Sequence, residues 1–548
     1  MKRIFLLLAL VLGLAVSAQE SAAPNPGDVL VQLFPGNSVD QLIEDLNKEH
    51  PILALRAEAV LSAELRMYHL RFNPAVPVDQ SIRWTVAHPA VVAAQGNRPT
   101  TLRTIPNDPL YSSQWQYNNL FNPAADLDAE EAWSISTGGL TIKGDTIVVA
   151  VIDDGIDMAH TDFGDNLWVN RMEVPGDSTD NDNNGYVDDY LGWNVYSGND
   201  DIQDGFWGGW HGTPVAGIVG AQGNDGIGVT GVNWNVKIMI IVGGPGEANA
   251  IASYGYILNQ RRRYNTTEGA EGAYVVSTNA SWGIDFGQPS SAPLWCNIYD
   301  SLGIEGVLSC GATINENQDV DVIGDLPTAC PSDYLISVTN MDQNDLKVVQ
   351  AGYGDSTIDI GAYGAGTYTT DLGGGHGGFG GTSGATPHVT GTLGLMHSMA
   401  CDELIELANS NPDSAAFWFR ELLFRSAVPN ASLAGLVSTE GKLNMLATLE
   451  EVEYFCDSLR TIGLNELGRS GLWQVYPNPA TSELHIVPLG TQSVTHYRLY
   501  NALGQCAAAG SLSAGSEQVD IRSIQAGWYV LELQSSEGAV ERRKIVIE

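Results

Sequence analysis

From residue 146 to residue 339 the chain repeats one device, a short and nearly unbroken apolar run followed by loop or helical spacing. The runs are Thr146–Ile152, Lys237–Val242, Tyr274–Thr278, Gly306–Cys310 and Leu335–Thr339, with helix patterns at Asn249–Arg263 and Ala292–Leu302. A strand that is apolar on both faces belongs inside a parallel sheet covered by helices, because a solvated face would show polar alternation. The expectation is an α/β core with helices on both faces of a parallel sheet. Open sheets of this kind hold ligands and reacting groups at the C-terminal ends of their strands.

Three segments fit that position. Val149-Ala150-Val151-Ile152-Asp153-Asp154-Gly155 is an apolar strand that ends on a carboxylate and a glycine turn. His211-Gly212-Thr213-Pro214-Val215-Ala216-Gly217 puts a histidine at the start of a helix of small residues. Gly380-Gly381-Thr382-Ser383-Gly384-Ala385-Thr386-Pro387 is a glycine-rich loop that leads Ser383 into a helix. Taken singly, the three residues read as a turn aspartate, a helix-opening histidine and an N-cap serine. Together they supply what acyl transfer requires. His211 takes the Ser383 proton and returns it to the leaving amine, while Asp153 fixes the imidazole tautomer. The helix start at Ser383 offers free N–H groups to a developing oxyanion. The order Asp, His, Ser differs from the Ser–Asp–His order of α/β-hydrolases, and neither a GxSxG at Ser383 nor an HExxH is present, which argues against an esterase or a zincin.

Charge narrows the partners. The 548 residues carry 26 Lys+Arg against 64 Asp+Glu, a net charge of −38. Such a surface repels nucleic acid and anionic lipid. The cluster Arg261-Arg262-Arg263 reads as a solvated helix face. Lys2-Arg3, the apolar run Ile4–Val16 and the small residues Val16-Ser17-Ala18 make a secretory signal peptide at residues 1–18. No other run approaches the ~20 apolar residues of a membrane span. The expected location is therefore extracellular or cell-surface, reached through the periplasm. In that oxidising setting Cys401–Cys456 is the first expected disulfide, followed by one pairing among Cys296, Cys310 and Cys330, with Cys506 standing alone.

The acidic excess is concentrated. Fifteen Asp and Glu but only one basic residue, Arg171, fall between Asp145 and Trp210. The centre of this stretch, Asp180-Asn181-Asp182-Asn183-Asn184-Gly185-Tyr186-Val187-Asp188-Asp189, begins as D-x-D-x-N-G, with oxygen donors at alternating positions and a glycine turn as a calcium loop has them. Leu191 occupies the twelfth position, where an EF-hand has glutamate, so the loop is not an EF-hand. Asp180, Asp182, Asn184, Tyr186, Asp188 and Asp189 are the candidate ligands. The alternative is an Asx-rich surface turn.

Two further segments flank the core. Gly27 to Arg103 reads β-α-β-α-β: Val29–Leu33, a helix pattern at Ser38–His50, Arg66–Arg71, a second helix near Asp79–Ala87, and Val91–Gln95. After a linker at 461–471, the last segment is all strand-like, at Glu483–Val487, His496–Tyr500, Gln518–Ile521, Trp528–Leu533 and Arg543–Ile547, which suggests a small β-sandwich.

The three motifs resemble the catalytic signatures of the subtilisin-like serine peptidases, the subtilases, and the resemblance runs from about Asn107 to Leu449. Pro106-Asn107-Asp108-Pro109 and Ser112-Ser113-Gln114-Trp115 look like a mature N-terminus of that family, and Gly441-Lys442-Leu443-Asn444 like its closing helix entry. The resemblance implies a serine endopeptidase acting on protein or peptide substrates, with Asn315 as the oxyanion side chain and Ser281-Trp282-Gly283 as substrate-binding strand. Ile314 stands where the family usually has glycine, Gly384 where it has methionine, and Asp154 where it has threonine or serine. Acidic insertions between the Asp and His motifs bind calcium in such proteins. Residues 19–103 resemble the family's inhibitor-like propeptide, an intramolecular partner, with processing expected near Leu102-Arg103-Thr104. Tyr476-Pro477-Asn478-Pro479, Tyr500-Asn501-Ala502-Leu503-Gly504-Gln505, Gly527-Trp528-Tyr529-Val530 and the basic-then-apolar end Arg542–Ile547 resemble the C-terminal sorting domain of the type IX secretion system of Bacteroidetes. The tail implies outer-membrane secretion machinery as partner; its alternative is a substrate- or carbohydrate-binding β-module. The expected architecture is a signal peptide (1–18), a small α+β propeptide (19–103), a subtilisin-like α/β domain (104–460), a linker (461–471) and a C-terminal β-sandwich (472–548). The rival readings are a catalytically silent surface adhesin on a protease fold and a processing protease of narrow specificity.

Overall fold

The computed structural model describes residues 25–97, 104–203, 208–462, 473–476, 480–488, 494–501, 506–512, 518–535 and 540–547. Outside them lie the expected signal peptide, the Leu102-Arg103 part of the processing region, most of the linker, and the Pro477-Asn478-Pro479 and Ala502–Gln505 parts of the tail pattern. The chain divides into two units, residues 1–102 and 103–548.

In the first unit β1 (Asp28–Leu33), α1 (Val39–Glu49), β2 (Arg56–Ser62), β3 (Met67–Arg71), α2 (Val78–Ala87) and β4 (Val91–Gly96) follow in order. The strands form an antiparallel sheet, β2-β3-β1-β4. Alternation in β1 buries Val29, Val31 and Leu33 against Leu42 and Leu46 of α1 in one core. The Ser38 hydroxyl accepts the Asp40 N–H and starts α1. The structure adds β2 to the expected order. Its residues are exposed or nearly so, and therefore carry no apolar alternation to read.

The second unit opens with α3 (Ala129–Ile135), β5 (Val148–Asp153), β6 (Gly192–Asn194), α4 (Gly212–Gly220), β7 (Lys237–Val242), α5 (Glu247–Thr266), β8 (Val275–Ala280) and β9 (Ile284–Asp285). Next come α6 (Pro293–Ile304), β10 (Leu308–Ala312), α7 (Val320–Ile323), β11 (Asp325–Leu326), β12 (Leu335–Met341), β13 (Ile360–Tyr363), and the hairpin β14 (Thr367–Asp371) and β15 (Gly375–Phe379). Then follow α8 (Thr382–Met399), α9 (Asp402–Ser410), α10 (Pro412–Arg425), β16 (Val428–Pro429), β17 (Gly441–Lys442) and α11 (Met445–Ile462).

Nine strands form the main sheet, β16-β17-β13-β12-β10-β8-β5-β7-β6, parallel except at its β16–β17 edge. β5 shows why. Val148, Ala150 and Ile152 point into a core with Tyr254 and Trp295 from α5 and α6, while Val149 and Val151 join Val215 and Val219 of α4. Both faces are buried, as the unbroken apolar run requires. From β5 the chain fills one side of the sheet with β6 and β7 and the other with β8, β10, β12 and β13, so a crevice opens at the C-terminal end of β5. α8 is buried from Thr382 to His397. A Cβ on Gly391 would sit 2.8 Å from Val232 Cβ, so only glycine permits this close approach.

Disulfides join Cys296 to Cys330 and Cys401 to Cys456, leaving a buried thiol at Cys310 and an exposed one at Cys506. The tail forms two sheets, from β18 (Trp473–Tyr476), β19 (Glu483–Pro488), β20 (Val494–Asn501), β21 (Cys506–Ser511), β22 (Gln518–Asp520), β23 (Gly527–Ser535) and β24 (Val540–Ile547). The β18-β19-β22 sheet contributes Leu484 and Ile486, and the β21-β20-β23-β24 sheet Leu499, Leu531 and Ile545, to one sandwich core.

Candidate active site

The end of β5 and the start of α4 bring Asp153 and His211 together at the crevice, and Ser383 at the start of α8 bonds Ser281, which lines the same cavity as His211. Asp153 Oδ1 lies 2.8 Å from His211 Nδ1 and accepts the Asp154 N–H at 2.8 Å. An ionised carboxylate only accepts, so Nδ1 carries the proton and Nε2 is the free base of the neutral ring. Asp153 Oδ2 is buried without a partner among the described residues. The rings of Trp210 and Phe379 stand edge-on to the imidazole at 5.6 and 5.2 Å. Burial alone would pull the His211 pKa down; the Asp153 charge and hydrogen bond, joined by the Asp154 charge, outweigh it and leave it above its ordinary value.

Ser383 is the second residue of α8, where its N–H has no intrahelical acceptor. Its hydroxyl donates to Ser281 O at 3.0 Å rather than to His211. The Ser281 hydroxyl donates back to Ser383 O at 3.1 Å. Pro387 explains that return bond, since it lacks the N–H that would otherwise reach the Ser383 carbonyl. Asn315 is exposed, and its Oδ1 accepts the Thr382 N–H at 2.9 Å. A backbone N–H can only donate, so the amide oxygen is tied to α8 and the NH2 end faces away from that bond. Ile314 is compatible with this loop: its side chain is buried, its N–H donates to Asp325 Oδ2 at 2.9 Å, and its carbonyl accepts Gly352 N–H at 2.8 Å.

Beside His211 lies a cavity of about 230 Å³ whose apolar walls include Trp210, Trp282, Ile284 and Trp295. Trp282 is half-buried and donates its indole N–H to Ile152 O at 2.6 Å. A Cβ on Gly283 would fall 2.0 Å from Leu326 O, so no side chain fits there. Asp154 also lines the cavity. It accepts the N–H groups of Gly212 at 2.7 Å and His211 at 3.3 Å, and burial together with the Asp153 charge pushes its pKa up to about 6.

The six candidate ligands of the acidic stretch divide. Asp182 and Asp189 come together with Glu173, with all three buried and their oxygens within 4.8 Å. Glu173 carries no sequence signal of its own, and its Oε2 is buried without a partner among the described residues. Asp189 is pushed up to about 7, chiefly by burial. Asn184 donates its amide to Asp189 at 2.8 Å, and the Tyr186 ring packs on Trp193 and Tyr256. Asp180 and Asp188 instead spend both oxygens on backbone N–H groups, those of Asn184 and Gly185 and of Asp177 and Ser178. A second group without a sequence signal, His160, Asp162 and His376, also lies within 4.8 Å. Both ring nitrogens of His160 are already used, toward Gly375 O at 2.7 Å and Asp162 N–H at 3.2 Å.

Residues 144–446 match the subtilase family, and residues 474–548 match a secretion system C-terminal sorting domain. Subtilisin-like protease 1 of Plasmodium berghei (strain Anka) is 28% identical over 325 residues, covering 55% of this chain and 49% of the relative. An extracellular basic protease of Dichelobacter nodosus is 27% identical over 336 residues, covering 57% and 52%. The chain spans about half the length of these curated relatives. A protease from Pseudoalteromonas arctica PAMC 21717 is a similar solved structure, with a TM-score of 0.47 and 23% identity, over 63% of this chain and 99% of that one.

Proposed function

The chain belongs to the subtilase family, and on that premise we propose that it is an exported serine endopeptidase that cleaves peptide bonds through Asp153, His211 and Ser383. The observation that carries this reading is the 2.8 Å contact between Asp153 Oδ1 and His211 Nδ1; its support is Ser383, at a helix N-terminus and bonded to Ser281 of the same cavity. A substrate strand laid along Ser281-Trp282-Gly283 presents an N–H to the Ser281 carbonyl. That N–H displaces the Ser383 hydroxyl, which turns to His211 Nε2; hydrogen bonds of this kind commonly tighten only when substrate is bound. Ser383 Oγ attacks the carbonyl carbon as His211 takes its proton, giving a tetrahedral oxyanion. The Asn315 amide and the Ser383 N–H stabilise that charge. His211 then protonates the leaving amine, the acyl-enzyme forms, and water enters by the reverse steps.

The sorting-domain match indicates export to the cell surface or extracellular space. Among the described residues no helix is long and apolar enough to cross a membrane. Residues 1–18 serve as signal peptide, 19–103 as an inhibitory propeptide and 472–548 as the segment read by the secretion machinery, on the sequence patterns given above. Glu173, Asp182 and Asp189 form a hard oxygen set that fits calcium, with the unpartnered Glu173 Oε2 as the supporting observation. An ion held by these three carboxylates would offset part of the loop's negative charge and stiffen it.

The test is fluorophosphonate labelling of the wild type beside Ser383→Ala, with casein turnover followed in parallel. Label and turnover in the wild type, both lost in the variant, are expected. A wild type that takes no label would leave the fold serving as a binding surface.

A further inference from the structure

Asp325 has so far been only a partner of Ile314. It lies on β11 opposite Asp285 of β9 and is 2% exposed. One of its oxygens, Oδ2, receives three hydrogen bonds: from Thr313 Oγ1 at 3.1 Å, from the Ile314 N–H at 2.9 Å and from Thr328 Oγ1 at 2.6 Å. Two of those donors belong to the residues immediately before Asn315.

The connections close on themselves. The Thr313 carbonyl accepts the Thr382 hydroxyl at 2.6 Å, and the Thr382 N–H donates to Asn315 Oδ1 at 2.9 Å. Asp325, Thr313, Thr382, Asn315 and Ile314 therefore form one ring of contacts, with Ser383 next in sequence. Placing a carboxylate here is unfavourable: burial pushes its pKa up to about 6 despite the three donors. A buried charge in such a place calls for a compensating role. An oxyanion donor supplies one, because it acts only if it is already aimed where charge will appear.

We propose that Asp325 is a positioning residue: through Thr313 and Ile314 it fixes the Asn315 amide over the oxyanion position without touching substrate. The inference rests on the peptidase reading of the site. A charged acceptor bonded to a backbone N–H and two hydroxyls holds the loop more firmly than a neutral one. It also accounts for Ile314 at this position, since the loop is anchored at that residue's N–H and apolar side chain.

The test uses the full chain and a chromogenic peptide, with kcat, KM and melting temperature measured for Asp325→Ala, Asp325→Asn, Asn315→Ala and the Asp325→Ala/Asn315→Ala double variant. Asn315→Ala should lower kcat by about 10²–10³. Asp325→Ala should lower kcat by about tenfold or more with KM changed by less than about twofold. Asp325→Asn keeps an acceptor for the Ile314 N–H and should recover part of the loss. In the Asn315→Ala background the Asp325 change should remove less than about twofold more, because what it positions is already gone. Fully additive losses would overturn the proposal. So would a loss confined to KM for substrates with a cationic residue at the cleavage site, which would mean direct contact. If Asp325→Ala melts below the assay temperature, Asp325→Asn and its cycle with Asn315→Ala decide in the same way. An unlabelled wild type in the fluorophosphonate experiment removes the peptidase reading and this inference together; a labelled wild type with additive variants removes the inference alone.

Discussion

Asp153 and Asp154 are neighbours in the chain and hold opposite ends of one histidine. Asp153 meets the His211 ring, whereas Asp154 meets the backbone N–H groups of His211 and Gly212. The Asp154 charge also adds to that of Asp153 in raising the His211 pKa against burial. On the proposed mechanism His211 must be neutral to act as base, so the acid limb of the rate profile follows its pKa. Asp154→Asn keeps an acceptor for the Gly212 N–H and removes one negative charge. The histidine then loses its proton more easily, and the acid limb of kcat/KM against pH should move to lower pH. An unmoved limb would show that the Asp154 charge does not act on the base. At this scale the sequence was readable where a candidate residue stood next to a recognisable element. Asp153, His211 and Ser383 each close a strand or open a helix. Glu173 and Asp325 had no such marker. Each is a single acid whose meaning comes from partners brought close by folding: Asp182 and Asp189 for Glu173, and Thr313, Ile314 and Thr328 for Asp325.

α4 brings His211 to Asp153 because its first residue has no side chain. A Cβ on Gly212 would stand 2.2 Å from Gly155 O and 3.0 Å from Asp153 Cβ. Gly212→Ala must therefore push the helix start away from β5 and take the His211 ring off Asp153. In an exposed helix interior the same change would favour the helix by about 1 kcal/mol. Here kcat/KM should fall by about a hundredfold, the scale of a 1 Å misplacement at a reacting group. Wild-type turnover in Gly212→Ala would show that this close approach is not needed. The parallel sheet was legible because strands buried on both faces read as unbroken apolar runs, and Lys237–Val242 matched its element residue for residue. Strand ends were less clear. The Tyr274–Thr278 run is in fact Val275–Ala280, because Asn279 looks like a turn residue yet is buried in the strand. Its amide donates to Ser281 Oγ and its side-chain oxygen accepts from Thr390 Oγ1. β6 has only three residues, too few for any period to show.

Across the molecule, 64 acidic residues against 26 basic ones leave a charge that has to be accommodated somewhere. The sequence located its densest part between Asp153 and His211 but could not say which carboxylates meet, since D-x-D-x-N-G describes a loop and not its partners. Folding turns Asp180 and Asp188 into acceptors for backbone N–H groups and adds Glu173 to Asp182 and Asp189. Three buried carboxylates within 4.8 Å repel one another, and the neighbouring Arg263 is an incomplete answer. Its Nη2 stands 4.0 Å from Asp182 Oδ1 and is shared with Glu271 at 2.7 Å. A divalent cation bound only by the folded state would contribute about 2.7 kcal/mol at a hundredfold excess over its dissociation constant. For a chain of this size each kcal/mol moves the melting temperature by about 1 °C, since the unfolding entropy grows with length. Chelation with EDTA should therefore lower the melting temperature by about 2–3 °C, and added calcium should restore it. Glu173→Gln separates this site from any other source of calcium sensitivity. It removes one carboxylate from the set, so the variant should melt below the wild type in calcium and respond less to EDTA. If chelation leaves the wild-type melting temperature unchanged, the acidic loop is held by its Asx and backbone hydrogen bonds without a metal.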